Sequence, residues 1–224
     1  MSNSPTSGSG PDSRDEFFGT LADARRRIVV RIVSERSPEG IGKNDLAFRL
    51  AAVIIDTPPD TVSDSDHQRA LVDLHHRLLP QLADAGVLEE TDDGAVVTTD
   101  HRAFEDTRFE RPVSIGRGDE PDDHDAVFKA LADDRRRTVL SVLAGQYRPI
   151  DTETLARDVA VREADATERE ISDRRVDDVY VSLVHVHLPL LTEATLVSYD
   201  AEEGRVSYEG HPLVPSPNTI TLTG

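Results

Sequence analysis

The feature that most constrains this chain is an internal repeat. Residues 17–33 read FFGTLADARRRIVVRIV and residues 127–143 read VFKALADDRRRTVLSVL, an offset of 110 with eight of 17 positions identical. A second block follows in the same order at an offset of 109. Residues 74–88 (LHHRLLPQLADAGVL) and 183–197 (LVHVHLPLLTEATLV) share six of 15 positions. Two blocks in one order at nearly the same spacing mean two copies of one domain. We place them at residues 14–100 and 122–211, joined by a linker at 101–121. Residues 1–13 form a Ser/Gly/Pro-rich N-terminus expected to be disordered, and 212–224 form a C-terminal tail.

Each copy reads as three helices and a hairpin. The first helix carries Phe18, Leu21, Ile28 and Ile32, or Phe128, Leu131, Val139 and Val142, at helical spacing. A breaker follows at Ser37-Pro38-Glu39-Gly40 or Gly145 to Pro149. A short second helix has Asn44 or Asp151 as its expected N-cap. In the second copy Thr167 and Glu170 have the spacing of a capping box ahead of the third helix. That helix is expected to turn Leu71, Leu74, Leu78 and Leu82 inward in one copy. In the other it turns Val176, Val179, Tyr180, Leu183 and Leu190 inward. Short apolar stretches then flank Asp92-Asp93-Gly94 and Glu202-Glu203-Gly204, which signals β-hairpins. The fold class is mainly α with small β-hairpins, arranged as two tandem winged helix-turn-helix domains.

Pro80 and Pro189 each follow a histidine, His76 and His185, by four. A helical proline cannot donate to the carbonyl four residues back, so a local kink is expected at this point. His185 and His187 are spaced i, i+2 and point to different sides of a helix, so they do not form a metal pair. The chain has no cysteine. No phosphate loop or catalytic triad stands out, so no cofactor, metal or enzyme activity is expected.

The formal net charge is −18, with 43 acidic and 25 basic residues. It is spread evenly, −8 over residues 15–100 and −9 over 122–211. Only Lys43 and Lys129 are lysines, and aspartate supplies 27 of the acids. An aspartate-rich, lysine-poor surface resembles that of halophilic archaeal proteins. In molar salt the Debye length is ~3 Å and self-repulsion is weak. The charge therefore does not exclude a nucleic-acid partner. No apolar run approaches the ~20 residues of a membrane span, and the N-terminus lacks a signal-peptide pattern. The expected location is the cytoplasm, without membrane contact.

LADARRRIVVRIV and LADDRRRTVLSVL resemble the first helix of ArsR-like and related archaeal winged-helix regulators. HVHLPLLTEATLVSYD resembles the closing segment of a haloarchaeal winged-helix domain of unknown function. The second copy matches over about 90 residues, while the first departs at Leu78, which stands where the second has His187. The resemblance implies a winged-helix fold and a DNA-binding or regulatory role.

On this reading the expected function is DNA-binding transcriptional regulation in a halophilic archaeon. The two copies are expected to contact half-sites of double-stranded DNA roughly 34 Å apart. Arg174, Arg175, Arg205 and His185 of the second copy are the candidate nucleic-acid contacts. Acid beside both third helices supports the alternative, a protein–protein module on the same scaffold, with a protein partner or a homodimer. The arginine triplets Arg25–Arg27 and Arg135–Arg137 have two readings, phosphate forks or a salt-bridged helix face, and the second is expected.

Overall fold

The computed structural model describes residues 11–99 and 121–210. Of the segments expected to lack structure, residues 1–10, 100–120 and 211–224 lie outside the described residues. Residues 11–13 do not: the first helix begins at Pro11. The chain divides into two compact units, residues 1–125 and 126–224.

In the first unit α1 (Pro11–Leu21) and α2 (Ala24–Ser34) precede a two-residue strand, β1 (Ile41–Gly42), which leads directly into α3 (Lys43–Ile54). A 3-10 turn at Pro59–Thr61 precedes α4 (Asp64–Asp73). That helix continues through a π-helical turn (Leu74–Leu78) into α5 (Leu79–Asp84). A hairpin of β2 (Leu88–Glu90) and β3 (Ala95–Thr98) closes the unit. The order then repeats: α6 (Pro121–Leu131), which begins before the division and ends in the second unit, α7 (Asp134–Leu143), β4 (Ile150–Asp151), α8 (Thr152–Ala164), α9 (Asp173–Ser182), a π-helical turn (Leu183–His187), α10 (Leu188–Glu193), β5 (Val197–Asp200) and β6 (Arg205–Tyr208).

Each hairpin gains a third strand from the short segment before α3 or α8. The antiparallel sheets have the order β1-β3-β2 and β4-β6-β5. Ile41 pairs with Val96, and Ile150 with Val206. Gly94 and Gly204 take φ of 81° and 64° at the hairpin turns, a conformation that glycine adopts without strain. The core of each unit lies between the helices and the inner face of its sheet. Leu46, Leu50, Leu74, Leu78, Leu82 and Val87 are fully buried in the first, as are Leu155, Val179, Leu183, Leu191, Leu196 and Val206 in the second.

Four expectations change. The single first helix is two helices, broken at Ala22-Asp23 and Ala132-Asp133. Asp23 and Asp133 are extended N-caps that accept from the backbone N–H of Arg26 and Arg136 at 3.1 and 3.0 Å. Asn44 is not a cap. Gly42 is, because β1 pairing with Ala95 holds it extended up to the start of α3. Asp151 does precede α8, but without a side-chain capping bond, and the capping box of Thr167 and Glu170 closes a 3-10 turn, with Ser172 capping α9. Finally, Tyr180 and Leu190 are not in the core but 37% and 40% exposed, and Leu71 is half-buried.

At the prolines expected to kink the helix, both units carry a π turn. There the N–H of Leu79 donates to Leu74 and that of Leu188 to Leu183, each five residues back. The wider turn inserts a residue ahead of each proline-containing segment. It rotates that segment, so Leu188 and Leu191 face inward and Leu190 outward.

Candidate nucleic-acid interface

The arginine triplets are structural. Arg27 and Arg136 are 5% and 9% exposed. The Arg27 guanidinium donates to the Leu21 carbonyl at 2.8 Å. Arg137 donates to the equivalent Leu131 carbonyl at 2.7 Å. Arg136 adds bonds to the carbonyls of Ala130 and Lys129 at 2.6 and 2.9 Å. Three consecutive residues point about 100° apart on a helix. Some therefore turn back onto the end of the preceding helix, whose last carbonyls lack intrahelical donors and favour a cation. The remaining members pair laterally. Arg25 reaches Asp73 at 3.0 Å and Arg26 reaches Gln81 at 3.0 Å. Arg135 holds Glu163 and donates to Ser182 at 3.1 Å.

In the first unit this becomes a network over the π turn. Arg77 bonds both Asp73 oxygens at 2.8 and 3.1 Å and Asp23 at 3.2 Å. The Arg77 and Arg25 guanidinium groups hold the Asp73 carboxyl below its ordinary pKa, outweighing the opposing effect of partial burial. In the second unit Val186 replaces Arg77 and Leu190 replaces Gln81, at the repeat offset of 109. The network is absent there.

The second unit instead buries His187 beside Asp133, where the first has Leu78. Nδ1 lies 3.6 Å from Asp133 Oδ1, too far for a hydrogen bond, and is buried without a partner. Burial pushes the His187 pKa down, against the attraction of Asp133 and Glu163 and together with repulsion from Arg135 and Arg136. The unfolded chain therefore binds more protons than the folded one as pH falls through the ordinary histidine range near 6.5, and stability falls with it. His187→Leu, the first unit's residue, should remove this acid loss. All four tyrosines (Tyr147, Tyr180, Tyr199, Tyr208) are in the second unit, so tyrosine fluorescence reads its unfolding selectively. The urea midpoint should drop from pH 7.5 to 5.5 in the wild type and drop less in the variant.

The four candidate DNA contacts do not form one cationic face. Arg174 is exposed and has no hydrogen bond or ion pair among the described residues. Arg175 donates to Glu163 at 2.7 Å. Arg205 donates to the Pro149 carbonyl at 2.5 Å and lies 3.7 Å from Asp151. His185 is exposed in the π turn. The exposed residues of α9 include Asp173, Asp177 and Asp178 beside Arg174, and the apolar Tyr180 and Val181.

The equivalent helix of the first unit differs. The exposed residues of α4 are Asp64, Ser65, Gln68, Arg69 and Val72, one acid and one base. In the sequence Asp66 and Asp73 lie among these residues and make the helix read as acidic. Both acids turn out to be half-buried and engaged, Asp66 with Ser63 and Arg69 at 2.6 and 3.1 Å, and Asp73 with Arg25 and Arg77. The helix is braced by His67, whose ring stacks on Phe48 of α3 at 3.7 Å and 7°. Among the described residues no group of three or more His, Asp or Glu is placed to hold a metal ion, and no helix is long and apolar enough to cross a membrane.

A family profile described as "Domain of unknown function (DUF7344)" matches residues 18–98 and again residues 128–207. No curated protein and no solved structure is detectably similar to the chain. The chain belongs to the DUF7344 family and carries its domain twice.

Proposed function

We propose that this chain is a DNA-binding transcriptional regulator built on two winged helix-turn-helix units and working in the cytoplasm of a halophilic archaeon. Support for the scaffold comes from the order helix, short strand, helix, helix, hairpin, with the short strand pairing to the second hairpin strand in both units. In that plan α4 and α9 occupy the position of the helix that enters a major groove.

The observation that carries the reading is the outer face of α4. Ser65, Gln68, Arg69 and Val72 offer a hydroxyl, an amide, a guanidinium and a methyl-bearing group on one braced helix. These groups suit base edges: Gln pairs with adenine, Arg with guanine, and an apolar group packs on the thymine methyl. The Arg69–Asp66 pair is a surface i, i+3 contact with Arg69 79% exposed. Such pairs contribute under about 1 kcal/mol, so the guanidinium is readily surrendered to a base. We therefore assign base reading to the divergent first unit, and not to Arg174, Arg175, Arg205 and His185.

The test is selection of bound fragments from a random DNA library in molar KCl, followed by mobility shift. The proposal expects enrichment of a defined sequence. Recovery of no enriched sequence contradicts it. The protein–protein alternative is favoured by one observation, the exposed apolar residues of the second unit.

A further inference from the structure

Beyond base reading, we propose that the outer face of α9–α10 in the second unit pairs antiparallel with the same face of a second copy of this chain, making the protein a two-fold dimer. Val181, Val186 and Leu190 are 54%, 50% and 40% exposed along this one helix. The first unit differs at two of these three positions, while Val72, at the position of Val181, is 48% exposed. There Arg77 and Gln81 stand in place of Val186 and Leu190, and Asp23, Asp73 and Arg26 engage them. The second unit has lost those polar groups and leaves the positions apolar.

Charge selects the occupant and its direction. Arg174 near the N-terminal end and Glu193 at the C-terminal end are both exposed and, among the described residues, without partners. A two-fold axis between Leu183 and Val184 sets Val181 against Val186 of the second copy, twice. The same axis sets Arg174 against Glu193 of the second copy, twice, because both pairs are centred on that point. Asp177 and Asp178 then sit across from Leu190 and Pro189, on either side of the central Val181–Val186 pairs. A parallel pairing would place Arg174 on Arg174 and Glu193 on Glu193, which like-charge repulsion opposes. Closed two-fold self-pairing of one patch is the commonest form of oligomer. The acid at Asp177 and Asp178 and the apolar centre disfavour DNA as the occupant.

The test is sedimentation equilibrium of the full chain in molar KCl. The wild type should be a dimer. Val186→Arg with Leu190→Gln, which installs the first unit's own residues, should weaken association by about 100-fold or more with unchanged circular dichroism. Arg174→Glu should weaken it at the lowest salt at which the chain stays folded, and adding Glu193→Arg should restore it. The charge swap does not touch the core, so it decides the matter if the first variant fails to fold. A monomeric wild type overturns the proposal, whether the face is then open, covered by residues 211–224 or held by another protein. So does a dimer indifferent to both sets of substitutions.

Discussion

Arg136→Met should destabilise the second unit by about 3 kcal/mol. The guanidinium is buried at the start of α7 and donates to the carbonyls of Ala130 and Lys129 at 2.6 and 2.9 Å. Hydrogen bonds to charged groups contribute about 1.5–3 kcal/mol each; the part-buried Lys129 carbonyl keeps the N–H of Ala132 as a donor at 3.3 Å, so the loss falls chiefly on the buried bond to Ala130. Methionine keeps most of the side-chain volume, so the loss is chiefly polar. With a urea slope of about 1–3 kcal/mol/M, the midpoint read by tyrosine fluorescence should fall by 1 M or more. Arg25→Ala is the contrast. Its pair with Asp73 leaves Arg25 50% exposed, and its cost should stay under about 1 kcal/mol. Equal costs for the two would show that the triplet is a uniform surface feature.

Gln68→Ala with Arg69→Ala should abolish discrimination between the selected DNA sequence and random DNA. Each good bidentate base contact is worth about 1–3 kcal/mol of discrimination, so losing two lowers specific affinity by about 30-fold to about 25,000-fold. Non-specific binding rests on phosphate contacts and on salt, and should change little. Neither side chain is buried, and Arg69 gives up only its surface pair with Asp66. The fold should be intact by circular dichroism.

The repeat made the architecture legible. Two blocks at nearly the same spacing give the number of units, and Pro80 and Pro189 mark the helix distortion in the sequence itself, because a missing N–H has a definite geometric consequence. The hairpins were legible from Gly94 and Gly204 between apolar pairs. The break at Asp23 was not, since Leu-Ala-Asp-Ala has no glycine or proline and only the capping bond to Arg26 reveals it. The third strand of each sheet was missed because two residues are too few for an alternation pattern. Leu190 was assigned inward from a uniform helical period, which the π turn interrupts.

The candidate site was less legible. Its charged residues could be counted, but not sorted into engaged and available. Asp66 and Asp73 look like acid on the reading face of α4, and the structure turns both into partners of arginines. Arg175 and Arg205 look like free cations, and both are engaged by groups distant in sequence, Glu163 and Pro149. Pairing of this kind is tertiary, so local sequence carries little sign of it. Of the four candidate contacts in the second copy, Arg175 and Arg205 are engaged within the unit, while Arg174 and His185 are exposed.

The account rests most heavily on α4 as the reading helix. The direct measurement is a pair of mobility-shift titrations in molar KCl, each comparing the selected fragment with a scrambled one. We expect Arg175→Gln with Arg205→Gln to retain the wild-type ratio of affinities, and Gln68→Ala with Arg69→Ala to bring that ratio to one. The reverse pattern, selectivity lost with Arg175 and Arg205 and kept without Gln68 and Arg69, would contradict the assignment.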